Sequence, residues 1–296
     1  MRNLKLPSGG FTLIEMIVTI VVGSIVVAFM AMFIVIPMDA YSAQTRRAEL
    51  VDDADSALRF MSRDLASALP NSVRVSTSGT VTAIELLATV SAARYRDGGP
   101  LSDPTQELDF TATDTEFATT AAFANLTVPW TSTSAYLSIY NVGIPGANAY
   151  EMANVITPAG TGITITAISS SLGAYQNQVT MNFASTTNPT FKFAYGSPGK
   201  RVYLVSGPVS YLCDTSVGTL TRYSGYTIGY SQPVSAATLS AAGATAALVA
   251  ANAGACAFTL TAGTAQRDAL ATITLQLTAS GESVQLLHEV QIANAP

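Results

Sequence analysis

The chain has 296 residues and carries 14 Lys+Arg against 19 Asp+Glu, for a formal net charge of −5. Only 11% of residues are charged, against 49% hydrophobic. That is far below the roughly 25% charged share of an ordinary globular domain, so Ser, Thr, Asn, Ala and Gly must cover the surface, as in exported or assembly-forming proteins. No basic run or basic–aromatic cluster occurs, which argues against nucleic acid, whose phosphates need neutralising cations.

The first element in chain order is apolar. Residues 11–38 read FTLIEMIVTIVVGSIVVAFMAMFIVIPM, and Met16–Ile36 contains no charge. This is about the 20 residues that a membrane-spanning helix needs. A cleaved secretory signal has a shorter apolar core, of about 7–15 residues, and a small-residue cleavage site. The core here is longer and no such site closes it, so a transmembrane helix is expected. Arg2 and Lys5 precede the span and Arg46 and Arg47 follow it, a near tie by the positive-inside rule. Glu15 lies inside the apolar run, where a carboxylate costs on the order of 2.5–3.5 kcal/mol.

Gly10-Phe11-Thr12-Leu13-Ile14-Glu15, with a short basic leader before it and an apolar helix after it, resembles the processing site of type IV prepilins and type II secretion pseudopilins. The resemblance implies cleavage after Gly10 by a prepilin peptidase and methylation of the new N-terminus at Phe11. It also implies retention of Glu15 in the mature membrane helix. Cleavage would place a charged amine about one helical turn from Glu15. In a bundle of such helices that amine can pair with the Glu15 of another subunit, which makes the buried charge tolerable. The alternative is that Glu15 snorkels to the headgroup region.

The helical pattern continues beyond the membrane. Val51, Ala54, Leu58, Met61, Leu65 and Leu69 recur every three or four residues and mark one apolar face. Leu69-Pro70-Asn71 ends it, because proline cannot continue a helix interior. After Pro70 the period changes to alternation. Strands are expected at Val73–Ser76, Val81–Ala88, Gly162–Ile168, Gln178–Phe183, Phe191–Ala194, Arg201–Val205, Val209–Leu212, Leu220–Tyr223, Tyr226–Tyr230 and Cys256–Thr261. Ala271–Thr278 and Ser283–Ile292, around a turn-like Ala279-Ser280-Gly281-Glu282, form the clearest hairpin. Tyr95–Tyr150 reads as loops and short strands added to a core, and Ala236–Ala253 as a short helix or a loose loop.

The expected class is therefore α+β: a long N-terminal helix, part transmembrane and part amphipathic, packed on an antiparallel, β-rich, pilin-like head. The segments are a leader at 1–10, a transmembrane helix at 11–38, its amphipathic continuation at 39–70 and a head at 71–296 with a variable insertion near 90–195. Residues 57–75, 201–214, 220–226 and 286–296 are similar to one minor-pilin type, the O-type subunit of the mannose-sensitive haemagglutinin (MSHA) pilus system, a relative of the J-type minor pseudopilin. The partners this implies are the prepilin peptidase, other major and minor pilins, the inner membrane and the pilus assembly platform. The localisation implied is an inner-membrane anchor with a periplasmic head, later part of a pilus. An exported head would place Cys213 and Cys256 in an oxidising compartment, where a disulfide is favoured over two separate buried thiols.

No catalytic constellation appears. His288 is the single histidine, without G-x-S-x-G or H-E-x-x-H around it, and alternation places it on the face of Leu286 and Val290. The absence of G-x-x-x-x-G-K-[ST] argues against an ATPase. Asp103, Glu107, Asp109, Asp114 and Glu116 form an acidic, loop-like run. Its spacing fits no EF-hand, and a solvated loop is the default over a calcium site. No enzymatic activity and no cofactor are expected. The alternatives to a minor pilin are a type II secretion pseudopilin, a tip adhesin binding a surface glycan through the Thr/Ser-rich middle, and a membrane-anchored hydrolase.

Overall fold

The computed structural model describes residues 10–97, 106–168, 177–263 and 267–296. It divides the chain into two units, Met1–Leu50 and Val51–Pro296. One helix, α1 (Leu13–Ala66), contributes to both.

In the first unit the Leu13–Phe33 stretch of α1 has a mean hydropathy of 2.6 and none of it is buried, so it is long and apolar enough to cross a membrane. Its two hydroxyl side chains return to their own helix: Thr19 donates to Met16 O at 3.0 Å and Ser24 to Ile20 O at 2.7 Å. Neither hydroxyl therefore needs a partner from outside the helix.

In the second unit α1 is amphipathic. Ala54, Ala57, Leu58, Met61 and Leu65 are each at most 2% exposed, at the three- and four-residue spacing that makes one stripe. Val51, expected in that stripe, is 40% exposed. The helix also ends earlier than Leu69. Past Ala66 the chain pairs with a strand instead: Leu69 N–H donates to Leu87 O, and Thr89 N–H to Ser67 O.

The strands in chain order are β1 (Arg74–Ser78), β2 (Val81–Arg94), β3 (Glu116–Thr119), β4 (Trp130–Ser132), β5 (Tyr136–Ser138), β6 (Gly162–Ala167), β7 (Asn177–Asn182), β8 (Arg201–Asp214), β9 (Thr219–Ser224), β10 (Thr245–Ala251), β11 (Ala253–Thr261), β12 (Ala269–Ala279) and β13 (Glu282–Ile292). A short helix, α2 (Ala236–Ala241), precedes β10. All pairings are antiparallel. The main sheet has the order β1-β2-β8-β9-β10, with β5 also pairing β8. A second sheet runs β11-β12-β13, and a third, built from strands between Glu116 and Asn182, runs β3-β7-β6-β4.

Several strand expectations are corrected. Arg201–Val205 and Val209–Leu212 are one 14-residue strand, β8. At Gly207-Pro208 the strand runs on through a bulge, where Gly207 takes φ +128° and the register against Ala88 and Thr89 shifts. Bulges are where a sheet accommodates proline. Tyr226–Tyr230 is not a strand: Gly225, at φ +80°, turns the chain out of the sheet, and Gly229 O and Tyr230 O accept from Arg74. Phe191–Ala194 is irregular, anchored by Phe191 and Phe193 in the core of the third sheet. Within Ala236–Ala253 a short helix does form, but only over Ala236–Ala241, and most of the remainder is a strand rather than a loose loop. Ser235 caps α2 by accepting from Thr238 N–H, Gly243 turns the chain at φ +78°, and β10 then pairs β9.

The β12–β13 hairpin forms as read, with Ala279↔Glu282 closing a turn at Ser280-Gly281, both at positive φ. Ala271, Ile273, Leu275 and Leu277 alternate inward, fully buried, and β11 lies against β1, β2 and β8. The third sheet builds its core from Phe117, Ile163, Ile165, Val179 and Met181 together with Leu137 of β5 and Val202 and Leu204 of β8.

Candidate processing and assembly site

The residues singled out at the N-terminus lie where the chain enters α1. Gly10 and Phe11 precede the helix and are exposed, Phe11 at 83%. A Cβ built on Gly10 would meet nothing within 4 Å. Crowding within the described chain therefore does not require glycine there. The Gly10–Phe11 bond lies outside the helix and is exposed, so it is accessible to hydrolysis.

Thr12 is the helix N-cap. Its Oγ1 accepts from Glu15 N–H at 3.3 Å, and Thr12 N–H reaches Glu15 Oε2 at 3.5 Å. This is a reciprocal capping box, in which two of the unpaired N–H groups at a helix start find side-chain acceptors. A carboxylate in the first turn also suits the positive end of the helix dipole. The sequence reading gave Glu15 only an intermolecular or headgroup role. The Thr12-x-x-Glu15 spacing was the signal for this local one.

In the head, the structure joins Cys213 to Cys256 by a disulfide, with 43 residues of sequence separation. The bond ties β8 of the main sheet to β11 of the second. His288 sits partly buried on the inward row of β13 with Leu286 and Val290. Asp103 lies outside the described residues. Asp109 and Asp114 organise their own loop: Asp109 N–H donates to Asp114 Oδ2, and Thr111 donates to Asp109 Oδ1. The Thr111 hydrogen bonds hold the Asp109 carboxyl below its usual range, and burial raises that of Asp114. Among the described residues no group of three or more His, Cys, Asp or Glu is placed to hold a metal.

Two polar clusters had no signal in the sequence. Asp64, near the end of α1, accepts from Tyr211 Oη of β8 and from Arg222 Nε of β9, both at 2.7 Å. The amphipathic end of α1 is thereby pinned to the main sheet. Burial and the adjacent carboxylate push the Tyr211 phenol well above its ordinary value. The second cluster surrounds Glu85, a fully buried carboxylate in β2. Arg74 of β1 lies 2.6 Å from it and stacks over the Tyr150 ring at 3.6 Å. Tyr226 donates to Glu85 at 2.8 Å and shares a hydrogen bond with Ser210. Burial raises the Glu85 pKa, and Arg74 opposes the rise.

Residues 7–31 match the family described as the prokaryotic N-terminal methylation motif. The N-terminus thus carries a type IV prepilin-like motif, overlapping the capping box and most of the apolar span. No curated protein and no solved structure matches the chain.

Proposed function

We propose that the chain is a minor, pilin-like structural subunit of a type IV pilus of the MSHA kind, acting in assembly at a tip or priming complex. The observation that carries this reading is the coincidence at one place of the methylation motif over residues 7–31, an exposed Gly10–Phe11 peptide and a membrane-length helix. In this reading, residues 1–10 are a leader. A prepilin peptidase adds water across the Gly10–Phe11 amide, leaving a carboxylate on Gly10 and a free amine on Phe11, which is then methylated. The helix holds the precursor in the inner membrane with its head in the periplasm. Later the helix packs among those of other pilins, and the Phe11 amine pairs with a neighbour's Glu15.

A minor position is favoured by the size of the head. An insertion with its own four-stranded sheet adds bulk that close lateral stacking in a filament would have to accommodate at every copy. A type II secretion pseudopilin uses the same N-terminal logic and is the nearest alternative.

N-terminal sequencing of the membrane-extracted protein tests the reading directly. The expected mature chain begins at N-methylated Phe11, and Gly10→Ala is expected to abolish cleavage. A chain that retains Met1, or a Gly10→Ala chain processed normally at Phe11, would show the assignment to be wrong.

A further inference from the structure

One end of the β2–β8 ladder concentrates positive charge in a chain that has little charge of either sign. Arg94 and Arg201 stand directly opposite each other in the antiparallel register, and like charges so placed are destabilising. Arg201 turns away, donating to Ala295 O at 3.1 Å. Arg94 faces a cavity of about 420 Å³ lined also by Arg96, Asp97, Thr120, Gly199 and Lys200. Arg96 is 5% exposed and has Glu107 at 3.7 Å, and Lys200 has the Asp97 carboxylate at 3.7 Å. The Arg94 guanidinium has no ion pair or hydrogen bond among the described residues.

The walls are held by backbone hydrogen bonds. Tyr95 N–H donates to Lys200 O at 2.8 Å, Arg96 N–H to Ala118 O at 3.0 Å and Thr120 N–H to Arg94 O at 2.8 Å. The cations are therefore mounted on a fixed frame that spans the main sheet and the third sheet.

We propose that this cavity binds a small oxyanion, a carboxylate or sulfate group, with the Arg94 fork as its exposed ligand and Lys200, whose charge is shared with Asp97, as a secondary contact. A planar guanidinium offers paired N–H donors that match such a group. The volume lies within the range of small-molecule sites and exceeds what a bare anion needs, so an acidic saccharide unit fits as well as a free ion. A bound anion would also relieve the Arg94–Arg201 opposition, which otherwise has no compensation at Arg94. This inference does not depend on the filament reading.

The test is calorimetric titration of the full-length chain in detergent micelles at constant ionic strength, with N-acetylneuraminate, inorganic sulfate and neutral galactose as probes. Saturable binding of one or both anions, absent for galactose, is expected. N-acetylneuraminate binding tighter than sulfate identifies a saccharide carrier; equal binding identifies a free oxyanion. Arg94→Ala is expected to weaken binding about tenfold or more, Lys200→Gln to weaken it less, and Arg94→Glu to abolish it. Arg94→Glu replaces a like-charge pair with an opposite one, so its thermal midpoint should hold or rise while binding disappears. The proposal is overturned if no anion binds saturably, if galactose binds equally well, or if Arg94→Glu binds like the wild type.

Discussion

Glu85 shows how one residue's environment sets its chemistry. It is buried on a strand whose residues 83–87 are all buried, so solvent cannot stabilise its charge, and its carboxyl pKa is raised by burial against the opposing pull of Arg74. A carboxyl whose folded pKa exceeds its unfolded value contributes stability at pH below the unfolded value. That contribution is lost as pH rises through the folded one. Arg74→Met should enlarge the effect, because it removes the cation while leaving the carboxylate buried. The variant is expected to be about 3–5 kcal/mol less stable than wild type at pH 7. The deficit should shrink as pH falls and Glu85 takes up its proton. Urea unfolding of the solubilised full chain at pH 7 and pH 4.5, followed by circular dichroism, would measure both numbers; an equal deficit at the two values would contradict the account. None of this was legible in the sequence. Val81–Ala88 read only as a strand, and the partners of Glu85 lie 11 residues away at Arg74 and 141 away at Tyr226.

At the level of elements, legibility followed the range of the forces involved. The two halves of α1 and the β12–β13 hairpin are set by local periodicity and a local turn, and both were readable. Where pairing between distant strands decided the outcome, local signals misled. Arg201–Val205 and Val209–Leu212 read as two strands, and pairing with β2 across the bulge at Gly207-Pro208 makes them one. The alanine-rich stretch acquires a strand only because β9 offers an edge, an instance of tertiary context overriding propensity. Asp64 belongs to the same class: on the helix it is one polar residue among many, and β8 and β9 turn it into a clamp. Asp64→Asn keeps the shape but removes the charge that Arg222 and Tyr211 address. Its expected cost is about 1.5–3 kcal/mol, the range for hydrogen bonds to charged groups. Hydrogen exchange should localise the loss. Amides of the 51–66 segment are expected to exchange faster, while those of β6 and β7, whose core cluster contains no residue of α1, keep wild-type rates. Uniform acceleration throughout the head would mean that Asp64 supports global folding rather than helix docking.

Across the whole molecule, the decisive question is what Glu15 does once the chain is assembled, and the capping box makes that question sharper. Glu15 has two separable properties: an oxygen that accepts from Thr12 N–H, and a negative charge that a neighbour's Phe11 amine could meet in the proposed filament. Three substitutions divide them. Glu15→Gln retains an acceptor suited to a capping box but loses the charge. Thr12→Val loses the reciprocal hydroxyl but leaves the charge in place. Glu15→Val loses both. All three are expected to insert in the membrane, since none adds a charge to the apolar span and two remove one. If charge pairing between subunits drives assembly, Glu15→Gln and Glu15→Val should both be depleted from sheared filaments by immunoblotting, with Thr12→Val close to wild type. If the cap is what matters, by fixing the direction in which the N-terminus leaves the helix, the order inverts. Glu15→Gln would then be incorporated and Thr12→Val excluded. The charge-pairing outcome is the one expected, because losing one cap costs only about 0.5–2 kcal/mol on a 54-residue helix. An amine and a carboxylate brought together in a low-dielectric bundle have no water to replace a missing partner, and removing one of a buried pair costs about 3–5 kcal/mol.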